Sequence, residues 1–260
     1  MERITVILPI HTLNDGLGGL VEKAIKSVPQ EINLVVVTAP DIKSSVEETA
    51  VKTHGDRTIV VTNDNTELVP MINRGLQEVK TDYFSILEAD DEYTGIWFKN
   101  VVRYINEKPN VFCFMPLTHI VDEKGDFTAF VNEAPLALNF SDRLGYVTYD
   151  SLQVYMAYNL TGAVFNVADW ESVGGLKDNI KYSFWFEFML RATRADYDFL
   201  VVPKIGYRHL IGRPGSMFAI SKETMSQNEL DYWYNVALDE HEFHDARSVE
   251  PYYPNNHINH

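Results

Sequence analysis

Apolar residues recur along this chain in two alternating rhythms. Short continuous runs at Ile4–Ile10, Asn33–Ala39, Thr58–Thr62, Tyr83–Leu87 and Val111–Leu117 read as buried strands. Between them, apolar positions fall at helical spacing. Leu20–Val28 carries Leu20, Ala24, Ile25 and Val28, and Thr66–Val79 carries Leu68, Val69, Ile72, Leu76 and Val79. Gly95–Ile105 carries Ile96, Trp97, Val101, Val102 and Ile105, while Ile42–Lys52 reads as a polar helix. Strands alternating with helices over residues 1–117 predict an α/β fold, with a mostly parallel sheet flanked by helices on both faces.

Beyond Leu117 the alternation weakens. Residues 118–160 hold no long helix and are punctuated by Gly125, Pro135, the run Asn139–Asp142, and Gly145. Ala163–Val167 reads as a strand and Ala168–Val173 as a short helix, with Gly174-Gly175 as its stop signal. Ser183–Arg194 is an aromatic-rich helix. Asp198–Val202 is a strand, followed closely by Tyr207-Arg208-His209. Ser221–Glu240 is a final helix with Ser221 as N-cap, and Ser248–His260 is an extended polar tail. No linker composition or repeat divides the chain, so the expectation is one domain over 1–215 and a C-terminal helix and tail over 216–260. Tyr232, Trp233 and Val236 form one face of that helix, expected to dock on the domain or to support a homo-oligomer or protein partner.

Net charge is −15, which argues against a nucleic-acid surface, because phosphate binding needs a basic face. The single cysteine, Cys113, rules out an internal disulfide framework and reads as core packing. The apolar run near Met1 is too short for a signal peptide or a membrane span, so the expectation is a soluble, cytoplasmic protein.

One composition shift carries chemistry. The strand Tyr83–Leu87 ends in Glu88, Asp90, Asp91 and Glu92. In sheets of this kind ligands bind at the carboxyl ends of strands. Clustered acids repel one another unless a cation neutralises them, and hard oxygen ligands suit Mg or Mn. The plain alternative is a solvated acidic turn ahead of a helix. The glycine-bearing loop Asn14–Gly19 reads as a turn, because a dinucleotide fingerprint needs a third glycine where Val21 stands.

Several segments, taken in order, resemble family 2 glycosyltransferases of the GT-A (Rossmann-like) fold. They are Ile4–His11; Asn65, Asn73 and Gly75; Leu87-Glu-Ala-Asp-Asp91, similar to the DxD motif; Trp170–Leu176; Phe186-Glu187 through Leu190-Arg191; Val201–Pro203; and Tyr207-Arg208-His209. The resemblance covers about residues 4–210. It implies a metal-dependent, inverting transfer from a nucleotide sugar, a UDP-sugar first, to a glycan or other hydroxyl acceptor. It also implies a nucleotide-binding half over 1–117 and an acceptor half over 118–215. By the same resemblance Pro9, His11, Asp41, Asn73 and Glu88 would bind the donor, and Asp90 and His209 the Mn or Mg ion. Asp91 would support the site or add a ligand, and Glu187 would act as base.

The departures from the family pattern matter as much. The acid pair usual on the base-bearing helix is replaced by Phe184 and Trp185. Glu187 is the only acid of Tyr182–Leu190, and an i,i+4 ion pair with Arg191 is its alternative. Ile72 stands where arginine is common and Glu67 where glycine is common. These losses leave room for a catalytically silent module that binds glycan or assembles with other proteins. A nucleotidyltransferase would need a basic loop near the N-terminus, and residues 9–19 contain no Lys or Arg. His241, His244, His257 and His260 read as a solvated helix end and tail, because their spacing does not match a zinc-protease pattern.

Overall fold

The computed structural model of the chain describes residues 1–13, 17–137, 140, 143–213, 216 and 224–243. It contains one ten-stranded sheet with helices on both faces. The strands are β1 (Ile4–Ile10), β2 (Asn33–Thr38), β3 (Thr58–Thr62), β4 (Tyr83–Ile86), β5 (Glu92–Tyr93), β6 (Cys113–Val121), β7 (Phe127–Val131), β8 (Tyr146–Val147), β9 (Val164–Asn166) and β10 (Phe199–Leu210). The helices are α1 (Leu17–Ser27), α2 (Lys43–His54), α3 (Leu68–Leu76), α4 (Trp97–Glu107), α5 (Tyr149–Leu152), α6 (Val167–Val173), α7 (Phe184–Arg194) and α8 (Gln227–Glu240). Among the described residues no helix is long and apolar enough to cross a membrane.

The sheet order is β3-β2-β1-β4-β9-β6-β10-β5, with β7 added on β6 and β8 on β10. The first four strands are mutually parallel, as expected. β9 then inserts antiparallel between β4 and β6, so the two parallel groups never touch. Alternation along β1 divides the core. Ile4, Val6, Leu8 and Ile10 pack with α1, α2 and α4, and Ile7 packs with α3, α6 and α7 on the other face. Gly75 lets α3 sit close, since a Cβ there would come within 2.5 Å of Ile7 Cγ2.

α8 docks on the domain rather than standing clear of it. Trp233 is 3% exposed and Ala237 is fully covered, Phe186 stacks on Tyr234 with ring centroids 5.4 Å apart, and Ser183 Oγ donates to the Trp233 carbonyl at 2.5 Å. Trp233 is thus the covered member of the expected face. His241 is not solvated as expected: it is buried, with Nδ1 bonded to Leu238 O at 2.7 Å and Nε2 to Tyr149 Oη at 3.1 Å. Ser221, the other C-terminal histidines and the extended tail lie outside the described residues, and the described start of α8 is capped by Ser226.

Candidate functional site

β10 makes the site. The sequence suggests a strand ending at Val202, but a register shift around Pro203 lets the strand resume and run to Leu210. Its second half pairs antiparallel with β5, Tyr207 opposite Tyr93 and Arg208 opposite Glu92. One residue further along each strand, that register brings His209 to Asp91. His209 Nδ1 lies 2.7 Å from Asp91 Oδ2, and the Leu210 amide donates to Asp91 Oδ1 at 2.9 Å. Asp91 is 1% exposed and serves as the carboxylate behind the imidazole. Nε2 is left as the nitrogen able to meet a ligand.

Tyr207 supports the acid turn from below. The Glu88 amide donates to Tyr207 Oη at 3.0 Å, and the ring packs against Gly162, where any Cβ would overlap it at φ +79°. Ser85 Oγ, 2.7 Å from Tyr93 Oη, donates to Ala163 O at 2.7 Å, which ties β4 to the neighbouring loop.

Above this layer lies a cavity at the carboxyl ends of β1, β4 and β10. Pro9, His11, Glu88, Asp90 and His209 line it, as do Thr66, Leu68 and Met71 around the start of α3. Burial pushes the Glu88 carboxyl up to about 8, helped by the charge of Asp91 and opposed by His209. Burial alone would lower His209, but the charge and hydrogen bond of Asp91 outweigh it and hold the imidazole at about 9. Burial and the neighbouring Arg213 lower His11, with Asp90 pulling the other way.

A divalent cation fits this donor set. Ligand atoms of Glu88, Asp91 and His209 lie within 4.8 Å of one another, and carboxylate oxygens suit Mn or Mg, but both Asp91 oxygens are already bonded, to His209 and to the Leu210 amide. Asp90 has another partner: its Oδ2 accepts from Arg213 Nε at 2.6 Å. Arg213 lies beyond the Tyr207-Arg208-His209 segment at which the family resemblance ends. Its signal is a lone basic residue in the glycine- and proline-bearing segment just past the strand.

Besides Asp91, three expected site residues stand outside the cavity wall. Asp41 is exposed in the turn after β2, and Asn73 Nδ2 reaches the Leu176 carbonyl at 3.4 Å, tying α3 to the segment before α7. Glu187 is fully buried. Lys177 Nζ lies 2.9 Å from its Oε1, and Arg191 holds both oxygens, Nε to Oε1 at 2.8 Å and Nη2 to Oε2 at 2.9 Å. Arg191 also donates to the carbonyls of Val173 and Gly175, and Lys177 to that of Glu240. A base must reach the acceptor's proton. Glu187, with no exposed surface and two cations on its oxygens, is placed as the centre of an ion triad instead. Trp185 lies near-parallel to Phe165, and both Trp185 and Phe184 pack on the core.

A model of glycosyl transferase family 2 matches residues 5–155. An uncharacterized glycosyltransferase of Rickettsia typhi is 22% identical over 209 residues, covering 77% of this chain and 63% of the relative. The S. aureus TarS fragment 1–349, solved with UDP-GlcNAc, superposes with TM-score 0.64 at 13% identity, over 90% of this chain and 65% of that one. The mannosyltransferase PcManGT of Pyrobaculum calidifontis, solved with GDP-Man and Mn2+, superposes with TM-score 0.65 at 16% identity, over 92% of this chain and 64% of that one. The chain therefore spans just under two thirds of the length of each of these proteins. The structural likeness identifies the fold as GT-A.

Proposed function

The chain belongs to glycosyl transferase family 2, and from that membership we propose that it moves a sugar from a nucleotide-sugar donor, a UDP-sugar first, to a hydroxyl of a glycan or other acceptor. The observation that carries this reading is the convergence of Pro9, His11, Glu88, Asp90 and His209 on one cavity at the strand ends. Pro9 and His11 would form the nucleoside side, with a neutral His11 as hydrogen-bond partner. Asp41, three residues past the Thr38 that pairs with Ile10, is the donor contact proposed from β2. Asn73 acts on the donor side only by fixing α3.

Glu88, Asp90 and His209 would hold Mn or Mg, and Asp91 keeps the imidazole turned toward it. When bound, the ion supplies charge neutralisation for the departing diphosphate. We propose the inverting course that the family resemblance implies. The acceptor's proton then goes to a group other than Glu187. The proposed division keeps 1–117 as the donor half and 118–215 as the acceptor half, on one continuous sheet. The lone, buried Cys113 supports a reducing, cytoplasmic setting.

A second reading, a catalytically silent GT-A module, is favoured by Phe184 and Trp185, which stand in place of the acid pair. Calorimetric titration with UDP and GDP, with and without Mn2+, tests the first reading. Metal-dependent binding that is lost in Asp90→Ala supports the donor site. A folded sample that binds neither diphosphate transfers the weight to the silent module.

A further inference from the structure

Arg213 is the single Lys or Arg among the described residues that wall the cavity. Its Nε sits 2.6 Å from Asp90 Oδ2, and the two side chains are 17% and 9% exposed. Asp90 is also the acid proposed to hold the ion, so ion and guanidinium contend for one carboxylate. A nucleoside diphosphate carries several negative charges into a cavity already walled by Asp90, which repels it unless cations intervene. A guanidinium fork matches phosphate oxygens better than any other side chain does. Gly212, at φ +84°, immediately precedes Arg213 and gives the backbone freedom that a residue with a Cβ would lack.

We propose that Arg213 is an exchangeable counter-charge: it neutralises Asp90 in the donor-free protein and passes to the donor's diphosphate when a divalent ion replaces it on Asp90. This inference rests on the donor-site reading above. It makes ion and diphosphate bind cooperatively, because each relieves a charge conflict that the other meets. It also explains how a chain with no Lys or Arg in residues 9–19 supplies positive charge to phosphate.

The test compares wild type with Arg213→Gln and Arg213→Lys by calorimetry, first with Mn2+ alone, then with UDP and GDP at saturating Mn2+. In Arg213→Gln, Mn2+ should bind about 3- to 10-fold tighter, because a competing charge is gone. The diphosphates should bind about 10- to 100-fold weaker, because a charged hydrogen-bond donor is gone. Arg213→Lys, a point charge without the fork, should fall between on both counts. Partial unfolding would weaken both ligands, so the opposite signs cannot come from a damaged sample, and thermal melts check this. Absence of either shift, or two shifts of the same sign, overturns the exchange. Wild type that binds no diphosphate with Mn2+ removes the donor reading itself. Wild type that binds while the variants match it removes only this inference.

Discussion

His209 Nδ1 and Asp91 Oδ2 are 2.7 Å apart, although 118 residues separate them in sequence. Asp91 does not face the cavity; it fixes which nitrogen of His209 does. Asp91→Asn keeps the shape and can still accept from the Leu210 amide, but it removes the charge behind the imidazole. Mn2+ affinity should fall about 10- to 100-fold, with far-UV circular dichroism unchanged. An affinity within twofold of wild type would falsify the orienting role.

His209, together with Glu88, sets a pH dependence. Glu88 rises from 4.5 to about 8 and His209 from 6.5 to about 9 on folding. Both shifts are upward, so each contributes stability that is full below its unfolded value and is lost as pH rises through its folded value. From pH 6.5 to 8 the two losses add. The metal-free protein should therefore melt at a lower temperature at pH 8 than at pH 6.5. Mg2+ needs Glu88 ionised and His209 neutral, so its affinity should increase over the same range, with protons released on binding. Melting curves with and without Mg2+, and calorimetry in two buffers of different ionisation heat, check both signs.

Glu187→Gln should lower the unfolding free energy by about 3–5 kcal/mol, because Lys177 and Arg191 stay buried without their anion. Denaturant unfolding measures the loss. The folded fraction should still bind UDP with Mn2+ as wild type does. A variant of undiminished stability that has lost turnover would restore Glu187 as the base.

Gly162→Ala should cost about 1–3 kcal/mol, through strain at a positive φ and overlap with the Tyr207 ring. Tyr207 holds the Glu88 amide, so the substitution should also weaken diphosphate binding, by about 3- to 10-fold on loss of one neutral hydrogen bond. Calorimetry at a temperature where the variant is fully folded separates the two effects.

Local pattern carries the first four strands, their helices and the acid cluster, because each is a run of residues with its own period or its own charge. Partner choice across the sheet has no such period. β9 reads as a strand from its own apolar residues, yet nothing in Val164-Phe-Asn166 states that it runs antiparallel between β4 and β6. β5 is two residues long, too short to show alternation, although it is what draws His209 to Asp91. The i,i+4 spacing of Glu187 and Arg191 was legible. Lys177, which completes the triad, comes from an irregular segment ten residues earlier and was not. Asp90 was legible as an acid at a strand end, but its contact with Arg213 is set by the turn of the chain after β10.

The Lys177 ammonium donates to the backbone carbonyl of Glu240 at 2.6 Å while it neutralises Glu187. The last turn of α8 is therefore wired to the buried charges beneath α7, which ties the expected helical extension to the domain. The two should open as one cooperative unit. Amide protons in the middle of α8 should exchange with deuterium at rates close to those of α7, far slower than a surface helix would allow.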